Sequence, residues 1–413
     1  MAPSIAALFV AFGISLGVLA QKKPLTGVSI PPEYAYLLPQ PYKGNINKNF
    51  IDTQTADNPT NSVFAAARNA TYYSFDQEFL TILGHSPTIE LAANRSGPFA
   101  HEAGVWVPDH NQVWFTSDGD PIPPQIYSYI DLGTNIVTTP TDPAVQGGVN
   151  LAGGSYFGGL VYFAALGNIS ENLAPAIYSI DPVSLSTNVV LDSYFGVHLN
   201  SLDDMTWVGP NTTHGSASCT HAGETNLFFT TIDLGANNEP GFSQAVLPNA
   251  VFRFTPSTKS LQAVISRGDI LAPNGISADP RGKYLYVTDS ALTLLSGPGS
   301  NSSGSPAIYR YELDADCYPT NKQLFTVVRS GLADGIHIDD FGRVWTAEFN
   351  GIVVRNSRGK ELGVFNAEQL VEAAFSPISN FALAGDKLVV LSGDHIWVIQ
   401  LGQNVTTPAG KSA

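Results

Sequence analysis

The chain is poor in charge. Only 13% of its 413 residues are Asp, Glu, Lys or Arg, well below the quarter usual in soluble domains. Long Leu/Ala/Glu/Lys stretches with helical periodicity are correspondingly scarce, and residues 366–374 offer the best of them. An all-β class follows. Basic residues are outnumbered 20 to 35, a formal net charge of -15, and no basic stripe offsets it. A phosphate backbone would be repelled, so nucleic acid is excluded as a partner. The longest apolar run, residues 6–19, is too short to cross a bilayer, and no later segment is transmembrane. The two cysteines, Cys219 and Cys317, allow at most one disulfide within the chain.

Gly (38) and Pro (28) are plentiful, which suits a chain of short strands and many turns. The apolar run 6–19 ends in Val18-Leu19-Ala20, small residues placed for cleavage before Gln21. Residues 1–20 therefore predict a secretory signal peptide, although the first lysine is Lys22 and no basic residue precedes the run. Six Asn-x-Ser/Thr acceptors agree with secretion: Asn69, Asn94, Asn168, Asn211, Asn301 and Asn404. An extracellular protein with no membrane attachment in its mature form is expected.

Residues 21–71 lack clear periodicity and predict an extended arm. The segment 72–93 predicts one or two strands. Six similar strands then recur roughly 45 to 65 residues apart, somewhat above the span of a four-stranded blade. They centre on Trp114, Tyr162, Phe228, Tyr286, Trp345 and Val389. Most are followed by a partner of Ile-Tyr-x-x or Val-Phe-x-x type, as at Ile126, Ile177, Val251 and Ile308. The economical fold is a six-bladed β-propeller over residues 72–402, with a tail at 403–413. The last repeat has no clear outer strand of its own, so a strand from 72–93 is expected to close the ring and protect its edge.

Aligned by their turns, four hairpins place an oxygen-bearing side chain in one slot: Glu102, Asp203, Asn274 and Asp334. In a propeller that slot opens each blade's innermost strand and points into the central channel. Singly these are turn or rim residues; in register they make a hard-cation site. Oxygen-only ligation suits Ca²⁺, although another divalent ion fits the same donors.

The stretches HEAGVWVPDHNQVWFTSD (101–118), LNSLDDM (199–205), APNGISADPRGKYLYVTDS (272–290) and ADGIHIDDFGRVW (333–345) resemble gluconolactonase/regucalcin-type propellers. The likeness is greatest to the secreted fungal lactonohydrolases and covers roughly residues 73–401. It implies a calcium-dependent hydrolase that opens lactones, its metal held by Glu, Asn, Asn and Asp. Carried over by position, those ligands are Glu102, Asp203, Asn274 and Asp334. Where the family has Asn-Asp this chain has Asp203-Asp204, which makes a more negative site; Asn200 is an alternative ligand there. The expected chemistry is polarisation of the lactone carbonyl by the metal with attack by water. Asp334, Asp204, His101 and His337 are the candidate bases, and Asp289 and Ser117 are supporting residues at the ends of returning strands.

Antiparallel connectivity brings the loops 118–125, 166–174, 233–248 and 291–306 over the metal, where they would shape the pocket for a small lactone. The insert 209–225 and the loop 314–322 fall on the opposite face of neighbouring blades, so a Cys219–Cys317 disulfide is expected. The same scaffold would also serve phosphotriester hydrolysis or non-catalytic binding.

Overall fold

The computed structural model describes residues 22–45, 48–118, 126–141, 150–168, 172–210, 219, 224–232, 246–291, 306–371 and 378–407. The proposed signal peptide, Asn211, Asn301 and most of the four loops placed over the metal lie outside them. Among the described acceptors, Asn69, Asn94 and Asn404 are exposed and Asn168 is half-buried.

Six sheets form the blades; the first four are antiparallel in simple up-and-down order, and the fifth and sixth add N-terminal strands at their outer edges. Their innermost strands are Glu102–Val107, Leu151–Phe157, Ser201–Val208, Pro273–Ala278, Ala333–Ile338 and Asn380–Ala384. Each packs on the next, and the sixth packs back on the first, so the ring closes around one axis. The recurring second strands carry aromatic and β-branched residues that suit a pleat buried on both faces. Trp114, Phe163, Phe228, Val287, Trp345 and Val389 are fully buried between blades.

The segment 72–93 divides between two blades. Thr88–Asn94 pairs antiparallel with His395–Gln400 and completes the sixth blade, as expected. Tyr72–Ser74 instead pairs with Glu361–Asn366 and extends the fifth. Between them, where a strand was predicted, lies the helix Gln77–Leu83. Asp76 caps it by accepting the Glu78 N–H, and Gly84 ends it at φ 72°. Phe79, Ile82 and Leu83 recur at helical spacing and are buried.

The arm is also more structured than its sequence predicts. Lys23–Pro24 adds to the sixth blade and Gly27–Ser29 to the fifth, here in parallel with Tyr72–Ser74. An eleven-residue helix, Asn58–Arg68, begins at the cap Asp57 and seats Phe64 against Phe50. At the predicted helix 366–374, one turn forms over Ala367–Leu370, capped by Asn366. The tail is tied down as far as it is described. Val405 is buried, its carbonyl accepts the Asp340 N–H, and the Thr407 hydroxyl donates to Asp340.

Cys219 and Cys317 are joined, with S–S 2.08 Å and Cα–Cα 4.8 Å, linking the third blade's insert to the outer loop of the fourth.

Candidate metal centre

Five of the six inner strands share a local irregularity near their start. Pairing slips at Leu202/Met205, Pro273/Ile276 and Ala333/Ile336, and likewise at Leu151/Gly154 and Glu102/Val105. Each slip is a β-bulge that re-aims its side chains. Counted back from the hairpin turns, one row round the axis reads Glu102, Ala152, Asp203, Asn274, Asp334 and Ser379. The expected four are in it. In the first blade the bulge starts one residue later, with Glu102 still paired to Thr116 and the bend taken by Ala103 (φ 76°) and Gly104 (φ 66°).

Two devices hold the row. A threonine near the end of a second strand donates to the row carbonyl of the next blade: Thr116 to Ala152 O (3.1 Å), Thr230 to Asn274 O (2.7 Å) and Thr288 to Asp334 O (3.3 Å). The residue after the row is glycine where neighbouring backbones close in. A Cβ on Gly275 would lie 2.2 Å from Asp334 O, and one on Gly153 would lie 2.6 Å from Asp203 O. Only a residue without a side chain lets adjacent bulges approach this closely.

The row gathers negative charge. Burial raises Glu102 well above the usual carboxylate range, with Asp334 and Asp203 adding repulsion. Asp203 is likewise raised well above its usual value by burial, then by Asp334 and Asp204. Burial lifts Asp334 to about 7 against donors from Ser379 and Asn274. Among the described residues no lysine or arginine pairs with any of them; the basic side chain beside the row is His101, whose Nε2 stands 3.8 Å from Glu102 and 3.9 Å from Asp118, and burial lowers its pKa below the usual value against the pull of Asp118.

Among those residues, no three His, Cys, Asp or Glu side chains are drawn in tightly enough to grip an ion as they stand. The donor set nevertheless fits a hard cation. Asp203 Oδ2 is buried with no hydrogen-bond partner, and a buried, unpartnered carboxylate oxygen costs too much to keep charged without a cation or a proton.

The other sequence candidates separate from the row. Asp204 braces two blades: Oδ1 accepts from Met205 N (2.8 Å) and Oδ2 from Ile276 N (3.0 Å), and burial holds it at about 7. His337 has Nε2 on Phe381 O (2.8 Å), and burial depresses it to about 4, so it stays neutral. Asn200 is not turned toward the row, because Leu247 O, Leu247 N and Asn249 Oδ1 engage both ends of its amide. Asp289 accepts from Ala272 N and Ala291 N at the base of the fourth inner strand. Ser117, next to the Thr116 that pairs with Glu102, accepts from Ile126 N at a loop base. Sequence reasoning missed the sixth blade's share: Ser379 on Asp334, and Asn380, whose Nδ2 donates to Glu102 Oε2 at 3.0 Å. The pair Ser379-Asn380 lacks the Asp-Gly or Asn-Gly signal, and only its place before the strand 380–384 could have revealed it.

Residues 200–393 match the family model described as SMP-30/Gluconolactonase/LRE-like region. The lactonohydrolase oryL of Aspergillus oryzae is 26% identical over 375 residues, 86% of this chain and 77% of that protein. The lactonohydrolase oryH of the same organism is 24% identical over 93% of both chains. Among solved structures, the gluconolactonase XC5397 of Xanthomonas campestris superposes with TM-score 0.59 at 18% identity, over 78% of this chain and 92% of that one.

Proposed function

Taking the chain as a six-bladed propeller of the gluconolactonase type, we propose that it is a secreted, calcium-dependent hydrolase that opens lactone rings. The observation that supports this most is the row itself: Glu102, Asp203, Asn274 and Asp334 converge from four blades, with an oxygen of Asp203 left unpartnered. These four would hold the ion. Bound there, calcium supplies a Lewis acid that polarises an ester carbonyl.

The chain's own residues do the rest. Asn380 fixes Glu102, while Ser379 and Asn274 fix Asp334, so the donors keep their aim when the substrate changes. His101 is the base that the geometry favours. Its Nε2 faces the carboxylates of Glu102 and Asp118, which would stabilise the imidazolium formed when it takes a proton from the attacking water. The water oxygen then bonds to the carbonyl carbon, the ring C–O bond breaks, and the imidazolium returns its proton to the leaving ring oxygen to give the hydroxy acid. Asp204, both of whose oxygens accept backbone N–H groups, and His337, whose Nε2 is on Phe381 O, are the less favoured bases, and Asp334 is assigned to the metal.

The relatives named lactonohydrolase support the substrate class. The test is pH-stat titration of a lactone panel after removal of divalent ions. Acid release should vanish and return with Ca²⁺, and His101→Asn should lower kcat while leaving calcium affinity unchanged. Undiminished turnover in chelator, or none on any lactone, would overturn the proposal.

A further inference from the structure

The row round the axis has one member without a donor. Glu102, Asp203, Asn274, Asp334 and Ser379 each carry a side-chain oxygen, whereas Ala152, in the second blade, offers a methyl group. Its slot is built like those of its neighbours. Pairing slips after Leu151 as it does after Leu202, Pro273 and Ala333, and the Thr116 hydroxyl donates to Ala152 O at 3.1 Å.

The two sides of the row also differ. Toward the sixth blade, Ser379 and Asn274 hold Asp334, and Asn380 holds one oxygen of Glu102. Toward the second blade, Asp203 Oδ2 is buried with no hydrogen-bond partner. There Ala164 stands in the slot where Thr116, Thr230 and Thr288 carry their hydroxyls, so that slot sends no brace to the Asp203 carbonyl. His101 borders the same gap. Its backbone N–H donates to Thr116 O, and the hydroxyl of that threonine goes to Ala152 O, so one residue fixes both neighbours.

Calcium takes about six to eight oxygens, so four side chains leave about two to four positions for water or substrate. Resting on the calcium-dependent reading above, we propose that Ala152 marks the substrate's place among them. The lactone carbonyl oxygen enters over the second blade, between Glu102 and Asp203 and beside the imidazole of His101. Alanine keeps that sector free of a further protein oxygen, and its small side chain leaves room for the carbonyl. An oxygen-bearing residue in this slot would tighten the ion and occupy the position that the reaction needs.

Ala152→Asn tests this, because the fourth blade already carries an asparagine, Asn274, in the same bulge slot. Eu³⁺ luminescence lifetimes in H₂O and D₂O count the waters on an ion at the row, and displacement by Ca²⁺ shows that the ion is there. The variant should hold about one water fewer than wild type and bind Ca²⁺ several-fold more tightly. On any lactone that the wild type turns over, kcat/KM should nonetheless fall about tenfold, since the added amide takes the carbonyl's position. A damaged fold would weaken the ion instead. Ala152→Ser, a smaller change, should give shifts of the same sign and serves if the asparagine variant does not fold. An unchanged water count, or undiminished turnover in a variant that has lost a water, would overturn this inference and leave calcium-dependent hydrolysis standing. Failure of Eu³⁺ and Ca²⁺ to bind the wild-type protein would overturn both.

Discussion

Replacing Asp334 by asparagine should have opposite effects with and without calcium. Burial holds Asp334 at about 7, against an ordinary value of 3.8. A carboxyl with a raised folded-state value keeps its proton while the unfolded chain has released it. Its contribution to stability is whole below about pH 4 and is lost as pH rises through about 7. Between pH 5 and 8 that loss covers about two units, or ~3 kcal/mol at 1.36 kcal/mol per unit. For a chain of 413 residues, unfolding entropy of about 2.1 cal/mol/K per residue converts this to roughly 3 °C. Asp334→Asn cannot titrate. Calcium-stripped variant and wild type, compared by scanning calorimetry, should diverge by about that amount in the variant's favour from pH 5 to 8. His337, whose depressed value opposes the trend below pH 6.5, is common to both and cancels, while Glu102 and Asp203 lose the repulsion of Asp334 in the variant, which adds to the difference in its favour. Calcium at pH 8 should reverse the order, raising the wild-type Tm far more than the variant's. A difference that does not change with pH, or equal stabilisation of both proteins by calcium, would refute the reasoning.

Gly275→Ala puts a methyl 2.2 Å from the Asp334 carbonyl, so the two bulges must part. A loss of about 2 kcal/mol or more is expected from such overpacking, with at least tenfold weaker calcium binding by isothermal titration. Cys219→Ser opens a cross-link spanning 98 residues. Denaturant titration should show a loss of roughly 2–5 kcal/mol, with calcium affinity unaltered because the bridge lies on the face away from the row.

Much of this architecture could be read from the sequence because the propeller repeats itself. Six hairpins with Val-Trp-Phe-Thr-like second strands set the blades, and the turns between them set the phase that brings Glu102, Asp203, Asn274 and Asp334 into one row. What the repeat does not cover was harder to see. The helix Gln77–Leu83 spans barely two turns, and its apolar Phe79 and Leu80 are adjacent, as a strand's residues also are. The apolar residues of the arm helix Asn58–Arg68 run consecutively from Val63 to Ala67 and show no helical period, and its position comes from packing on the fifth blade. The roles of Asp204 and Asn200 depended on which backbone groups lay opposite, a tertiary fact that residue type does not encode.

Anomalous diffraction from crystals grown in saturating calcium tests the central claim most directly. One strong peak is expected on the propeller axis, within about 2.3–2.6 Å of side-chain oxygens from Glu102, Asp203, Asn274 and Asp334. A peak elsewhere, or none on the axis while those four side chains remain well ordered, would contradict it.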